Sequence, residues 1–341
     1  MEVLLINPPR FNEIIGNNPP IIEEERGYNP PLGILYIAAY AEKHTNHAIT
    51  VIDAQVEGLT YENLEERIKS INPDIVGLTA MSMTIIDVLE TVKIVKKIDH
   101  RIKVVLGGPH VNLYPDETIQ QQGIDFLVLG EGEETFNDLL NNINCISALK
   151  GIKGIVFIEN QKIVNTGLRP LCDNLDEIPF PARHLVPYQK YTSLLSFGKV
   201  VTTIFTSRGC PFKCTFCDRP HLGKHFRARS AKNVVDELEL CVNMGIQEFL
   251  FYDDTFTVDK KRVIDICNEI VKRKLNIGWD IRARIDTIDE NVLQHLKKAN
   301  CRGIHYGIES GTNKILKVLK KGIKIEKAKI VFKGTLNNLN H

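Results

Sequence analysis

Ser207-Arg208-Gly209-Cys210-Pro211-Phe212-Lys213-Cys214-Thr215-Phe216-Cys217 places three cysteines within eight residues, spaced C-x3-C-x2-C, after an apolar β-type run from Val200 to Thr206. Thiolates clustered this tightly suit zinc or iron–sulfur ligation, because soft sulfur donors select these metals. Three ligands are one short of a closed tetrahedral site. Two readings follow. Either His221 or His225 completes a Cys3His zinc site, or the three cysteines hold a 4Fe–4S cubane and leave one iron open.

Downstream of this loop, apolar runs alternate with amphipathic stretches. Strands are expected at 200–206, 247–252, 277–285 and 303–308, and helices at 230–244, 259–274, 289–299, 312–320 and 325–336. Ser230 is suited to cap the first of these helices and Gly245 to end it. Charged groups stand at the strand ends. Asp253-Asp254 closes the second strand, Arg282 and Arg284 share one parity on the third, and Glu309-Ser310 follows the fourth. Repeated βα units concentrate chemistry at the carboxyl ends of their strands.

The cysteine spacing, Phe216 before the last cysteine and the βα repeat opening on a metal loop resemble the radical S-adenosylmethionine (SAM) superfamily. The resemblance implies a partial (βα)6 barrel over 200–341 and a 4Fe–4S cluster on Cys210, Cys214 and Cys217. Its open iron would chelate the amino and carboxylate groups of SAM. By the same resemblance, Asp253 and Asp254 serve the SAM amino group. Arg282 or Arg284 serves its carboxylate or sugar, and Glu309 and Ser310 serve the ribose. Reductive cleavage of SAM would yield a 5′-deoxyadenosyl radical that takes hydrogen from a substrate. No further catalytic residue is named. Four strands stand where the superfamily has six, so a C-terminally truncated radical domain is expected, with slow SAM cleavage and an open sheet edge.

The amino-terminal half alternates in the same way. Apolar runs at 3–6, 49–52, 75–79, 102–106 and 125–129 are separated by helical patterns at 33–43, 60–70, 84–98, 115–121 and 133–143. Short connections between such units imply a parallel, doubly wound α/β sheet with helices on both faces. The 33–43 segment is apolar nearly all round, so its helix should be buried. Ligands of such sheets sit at the strands' carboxyl ends. There lie Asn7-Pro8-Pro9, the loop 80–84 with Ser82, Gly107-Gly108-Pro109-His110, and Gly130-Glu131-Gly132-Glu133-Glu134. Small residues let a backbone approach a large flat ligand. No G-x-G-x-x-G follows the first strand, which argues against a dinucleotide.

Those loops, with Asn29-Pro30-Pro31-Leu32-Gly33, resemble the cobalamin-binding domain that precedes the radical domain in one large radical SAM subfamily. The resemblance sets cobalamin against Asn7, Pro8, Ser82, Gly107, Gly108, His110, Gly130, Glu131 and Gly132. One departure is that no D-x-H-x-x-G histidine is present. Asp53-Ala54-Gln55-Val56-Glu57-Gly58 follows the second strand and carries glutamine at the histidine position, so cobalt has no histidine from that motif. His110 is the remaining candidate to approach the corrin, although a lone loop histidine more often serves as a structural hydrogen-bonder.

Between the halves, 155–158 and 162–164 form an expected hairpin, and Pro170, Pro179, Pro181 and Pro187 mark an extended segment resembling the subfamily's linker. The expected divisions are 1–145 for cobalamin, 146–199 for hairpin and linker, and 200–341 for the radical domain. The chain has 341 residues, net charge +1, 43% apolar and 25% charged residues, which speaks against a nucleic-acid or membrane-surface partner. No apolar run reaches the roughly 18 residues of a membrane span. A cytoplasmic location is expected, so Cys145, Cys172, Cys241, Cys267 and Cys301 are read as small core residues and not as disulfides. The resemblance adds an electron donor such as flavodoxin or ferredoxin, and a small-molecule or peptide substrate. It implies cobalamin-dependent C-methylation, with radical cyclisation or rearrangement as the alternative. From other classes, a zinc-stabilised protein or a non-catalytic cobalamin-binding module would satisfy parts of the pattern.

Overall fold

The computed structural model describes residues 1–14, 27–193, 199–217 and 224–338. The chain forms two compact units. The first comprises Met1–Cys172 and Ile178–Tyr191, the second Asp173–Glu177 and Thr192–His341.

In the first unit, β1 (Glu2–Asn7), β2 (Ala48–Asp53), β3 (Ile75–Thr79), β4 (Lys103–Gly107), β5 (Phe126–Val128), β6 (Ile155–Glu159) and β7 (Lys162–Asn165) form one sheet in the order β2-β1-β3-β4-β5-β6-β7. The first five strands are parallel. β6 and β7 continue the sheet antiparallel, so the hairpin expected within the linker instead extends this sheet. Its two-residue turn uses positive φ at Asn160 (47°) and Gln161 (63°), which twists with the flanking strands.

Alternation along β1 assigns its side chains to two cores. Val3 and Leu5 pack with α1 (Leu32–His44) and with α4 (Gly132–Asn142). Leu4 and Ile6 pack with α2 (Tyr61–Ile71) and α3 (Ile85–Ile98). Both faces are therefore covered, as near-continuous apolar strands require. α1 buries Leu32, Ile34, Leu35, Tyr36, Ala38, Ala39 and Ala41, as its all-round apolar pattern predicts.

In the second unit, β8 (Val201–Ile204), β11 (Glu248–Phe251), β12 (Gly278–Ala283) and β13 (Cys301–Tyr306) form a parallel sheet in the order β13-β12-β11-β8. A separate ribbon pairs β9 (Ser207–Arg208) with β10 (Arg227–Ala228), antiparallel. The intervening helices are α5 (Ala231–Asn243), α6 (Lys260–Lys272) and α7 (Glu290–Lys298), followed by α8 (Asn313–Val318) and α9 (Ile325–Asn338). Ser230 caps α5 by accepting from the Asn233 amide, and Gly245 past its end has φ 86°. Asp259 and Asp289 cap α6 and α7 in the same manner.

Among the scattered cysteines, Cys241, Cys267 and Cys301 are buried as expected. Cys145 is exposed and Cys172 half-buried, which corrects the core reading for both. Cys145 lies just before a short helical turn, where the chain runs over the surface. Among the described residues, no helix is long and apolar enough to cross a membrane.

Candidate functional site

The cysteine loop starts where β8 ends, and its two sides are tied by the β9–β10 ribbon. Gly209 turns the chain at φ 80°, a left-handed conformation that costs glycine least. Cys210 is nearly buried, with its Sγ 3.8 Å from Thr255 Oγ1. Cys214 is half-buried and its Sγ accepts from Arg284 Nη1 at 3.5 Å. Cys217 is exposed. The Thr215 amide donates to Leu319 O at 3.0 Å, fixing the loop to the end of α8.

Two cations border this loop. The Arg284 guanidinium lies 3.8 Å from the Phe212 ring centroid and is held by Asp286 at 3.0 and 2.9 Å and by the Lys321 carbonyl. Lys321 is buried, lies 5.7 Å from the Phe216 ring and donates to Glu309 Oε1 at 3.0 Å. A cluster bound through thiolates and sulfides carries net negative charge, so soft donors beside fixed cations fit it. Among the described residues, no three His, Cys, Asp or Glu side chains gather closely enough for a single metal ion. A cubane does not ask for that, because each thiolate takes its own iron. Of the two histidines proposed to close a zinc site, His225 is exposed and His221 lies outside the described residues.

The polar residues at the strand ends have separate roles. Asp253 is fully buried, and its Oδ1 accepts from the amides of Thr206 (2.6 Å) and Ser207 (3.2 Å), while Oδ2 accepts the Thr206 hydroxyl. It secures the strap leading into the cysteine loop. Asp254 is exposed. Arg284 falls just beyond β12 and meets the cysteine loop, whereas Arg282 is exposed within β12 and stacks 3.8 Å from the Tyr252 ring centroid. Ser310 is half-buried, with its Oγ 3.5 Å from Thr312 Oγ1.

The first unit has its own loop cluster, at the carboxyl ends of β1, β3, β4 and β5. Asn7 Nδ2 donates to Asp53 Oδ1 at 2.7 Å, and Gln55 Nε2 donates to Pro8 O at 3.0 Å and to Asn7 Oδ1 at 3.3 Å. Gln55 is thereby committed to tying the β1 loop. Burial raises the Asp53 carboxyl above its ordinary value against the hydrogen bonds it accepts. The Ala80 amide donates to Gly107 O (2.7 Å) and the His110 amide to Ala80 O (3.0 Å), lacing the β3 and β4 loops together. Gly108 has φ 101°, and a Cβ there would stand 2.8 Å from Ala80 O. His110 Nδ1 meets Ser82 Oγ at 3.0 Å, and burial pushes its imidazole below the ordinary value, toward the neutral form. Gly130 turns at φ 71°, Gly132 lies against Ile37, and Glu131 accepts from the Cys172 amide at 3.0 Å.

Two anchors here escaped the sequence reading. Asn112 Nδ2 donates to Gly108 O (2.9 Å) while its Oδ1 accepts from the Gly130 amide (2.7 Å), joining the β4 and β5 loops. Buried Asp87 accepts from the amides of Phe11 (3.1 Å) and Asn12 (3.0 Å) and from Tyr61 OH (2.5 Å), holding the β1 loop. Asn112 in a Gly-Pro-rich loop could have been suspected as a loop tie. Around these loops Phe11, Met81, Met83, Leu113 and Tyr114 expose large apolar surface. An apolar rim over close-packed polar loops suits a large flat ligand such as a corrin.

The B12 binding domain family matches residues 20–140, and the radical SAM superfamily matches residues 204–333. An uncharacterized methyltransferase of Pyrococcus horikoshii is 38% identical over 329 residues, covering 95% of this chain and 68% of that protein. The anaerobic magnesium-protoporphyrin IX monomethyl ester cyclase of Rubrivivax gelatinosus is 30% identical over 87% of this chain and 54% of its own length. Among solved structures, the cobalamin-dependent radical enzyme OxsB with aqua-cobalamin bound superposes with a TM-score of 0.82 at 21% identity, over 99% of this chain and 51% of that one. The chain thus spans from about half to two thirds of these proteins. A B12-binding domain followed by a radical SAM domain, in one chain and in this order, makes the protein a member of the cobalamin-dependent radical SAM enzyme family.

Proposed function

We propose that this chain cleaves SAM reductively and methylates a carbon of its substrate with the help of cobalamin. The observation that carries the reading is the cysteine loop, a braced strap with three thiols that Arg284 meets at Cys214 and Lys321 meets at Phe216. Cys210, Cys214 and Cys217 would hold the 4Fe–4S cluster. When bound, the cluster supplies an electron to SAM and cobalamin supplies a methyl carrier.

The chain's own residues bind and orient. Arg284 positions Cys214 and shields its sulfur from water with Phe212. Asp253 fixes the strap, which leaves Asp254 as the carboxylate for the SAM amino group. Glu309 and Ser310 would meet the ribose, with Lys321 setting the Glu309 carboxylate. In the first unit, Asn7, Pro8, Ser82, Gly107, Gly108, His110, Gly130 and Gly132 would line the cobalamin, with Glu131 buttressing from behind through Cys172. Divisions at 1–145, 146–199 and 200–341, a cytoplasmic location and an electron donor such as flavodoxin or ferredoxin complete the reading. The Pyrococcus relative, named a methyltransferase, supports methyl transfer over cyclisation.

The test is anaerobic incubation of the reconstituted chain with methyl-labelled SAM and a reductant. Formation of 5′-deoxyadenosine together with label on bound cobalamin is expected. Deoxyadenosine without label would point to cyclisation or rearrangement, and the formation of neither product would overturn the enzyme reading.

A further inference from the structure

The sheet of the second unit has two faces. Trp279 packs 4.9 Å from Phe251 between ring centroids and its indole donates to Ala299 O, at the end of α7, at 2.7 Å. Trp279, Ile281 and Ala283 are buried, so this parity faces the helices. Asp280 and Arg282 take the other parity and point to the opposite, inner face. β13 matches them in register, with Asp280 beside Gly303 and Arg282 beside His305. Gly303 adds no side chain, which leaves room above Asp280.

On this inner face His305 Nε2 meets Asp280 Oδ2 at 3.2 Å, with the imidazole half exposed (49%) and the carboxylate largely covered (14%). The Asp280 hydrogen bond raises the His305 imidazole above its ordinary value and favours its charged form. Arg282 is stacked on Tyr252, and among the described residues its guanidinium has no hydrogen-bond or carboxylate partner. A guanidinium over a ring face keeps its N–H donors in its own plane and available. Adjacent strands thus present, in register, an arginine without an ion-pair partner among the described residues and an imidazole oriented by a carboxylate. Both side-chain types donate to the oxygens of a carboxylate or phosphate.

We propose that Arg282 and His305, with Asp280 orienting the imidazole, form an oxyanion subsite for the substrate, which therefore carries a carboxylate or phosphate group. The proposal rests on the second unit being the radical SAM barrel, and it deepens that reading by naming a substrate class. SAM also carries a carboxylate, so the test must separate the two sources.

The experiment is calorimetric titration of inorganic phosphate into the cluster-loaded full chain at constant ionic strength, with and without saturating SAM. Saturable binding that SAM leaves intact is expected. Arg282→Gln and His305→Gln should each weaken it tenfold or more, and Arg101→Gln, on the surface of the other unit, should leave it unchanged. Arg282→Lys should restore part of the loss. The near-ultraviolet circular dichroism of Trp279, the single tryptophan, reports whether each variant keeps the strand packed. Equal binding by wild type and Arg282→Gln overturns the subsite. Loss of phosphate binding on adding SAM assigns the site to SAM and overturns the substrate reading. Iron and sulfide content, which these substitutions should not change, tests the cluster assignment separately.

Discussion

Asp253 and Thr206 are bonded at two points, amide to Oδ1 at 2.6 Å and hydroxyl to Oδ2, both side chains being fully buried. The Thr206 carbonyl accepts in turn from the Arg229 amide (3.0 Å) and Arg262 Nη2 (2.7 Å). Each polar atom of Thr206 is therefore fixed, a few residues ahead of Cys210. The strap enters the metal loop from a rigid origin, which limits the positions Cys210 can take.

Asp253→Ala should cost about 3 kcal/mol, since it removes a buried carboxylate accepting several hydrogen bonds and strands the Thr206 donors. Iron and sulfide content after reconstitution should fall with it. Asp254→Ala, at the exposed neighbour, should change stability by less than about 0.5 kcal/mol and weaken SAM binding with the cluster intact. Equal loss of cluster in both variants would refute this division of roles.

Alanine at Cys210, Cys214 or Cys217 should abolish cluster assembly, as read from iron, sulfide and absorbance. Alanine at buried Cys241, Cys267 or Cys301 should cost only packing, about 1 kcal/mol each.

Thiol reactivity should separate the remaining cysteines. Hydrogen bonds from Ser147 and the Ala148 amide lower the exposed Cys145 thiol, while burial pushes Cys267 up to about 12 and raises Cys301 well above its ordinary value. Mass-spectrometric mapping after brief iodoacetamide treatment should find Cys145 modified early and Cys267 and Cys301 protected until unfolding. Rapid labelling of Cys301 in the native chain would contradict this packing.

The Asp280–His305 pair should register in stability against pH. Because the folded imidazole is raised, its contribution is fully present below the unfolded value of about 6.5 and is lost as pH rises through the folded value. Denaturant midpoints from pH 5 to 9 should show this decline in wild type and lose it in Asp280→Asn. The exposure of His305 makes the effect small.

Asn112→Ala should unfasten the β4 and β5 loops. Two hydrogen bonds are lost, about 1–2 kcal/mol, and hydroxocobalamin should bind roughly tenfold more weakly, a factor equivalent to about 1.4 kcal/mol. Unchanged cobalamin affinity with reduced stability would show that the tie serves folding alone.

Much of this architecture could be read from periodicity. The run Val3 to Ile6 announces a strand buried on both sides, and Ser230 and Gly245 mark the ends of α5 where its caps form. The site was less legible, because its decisive choices fall between neighbours. Asp253 and Asp254 are adjacent in an irregular turn, and only tertiary hydrogen bonds draw the first inside. Arg282 and Arg284 share parity in sequence, but β12 ends at Ala283, so the parity rule lapses before the second arginine and it turns to the cysteine loop. Lys321 acts across a long sequence separation, meeting Arg284 and Phe216, which no local pattern records.

The buried hydroxyl of Tyr191 donates to Asp53 Oδ2 at 2.8 Å, and Ala182 and Val186 pack into the same core as α1. The intervening Asp173–Glu177 belongs to the other unit, where Asp176 Oδ1 accepts the Ser230 amide at 2.8 Å. The chain therefore passes between its two compact bodies three times before settling into the second. A single protease cut or gene truncation near residue 150 cannot excise the B12-binding half whole, because it discards both β6 and β7 and the 178–191 segment that plugs its core. A truncation that keeps the first unit whole must run on to Tyr191, carrying Asp173–Glu177 of the other unit with it.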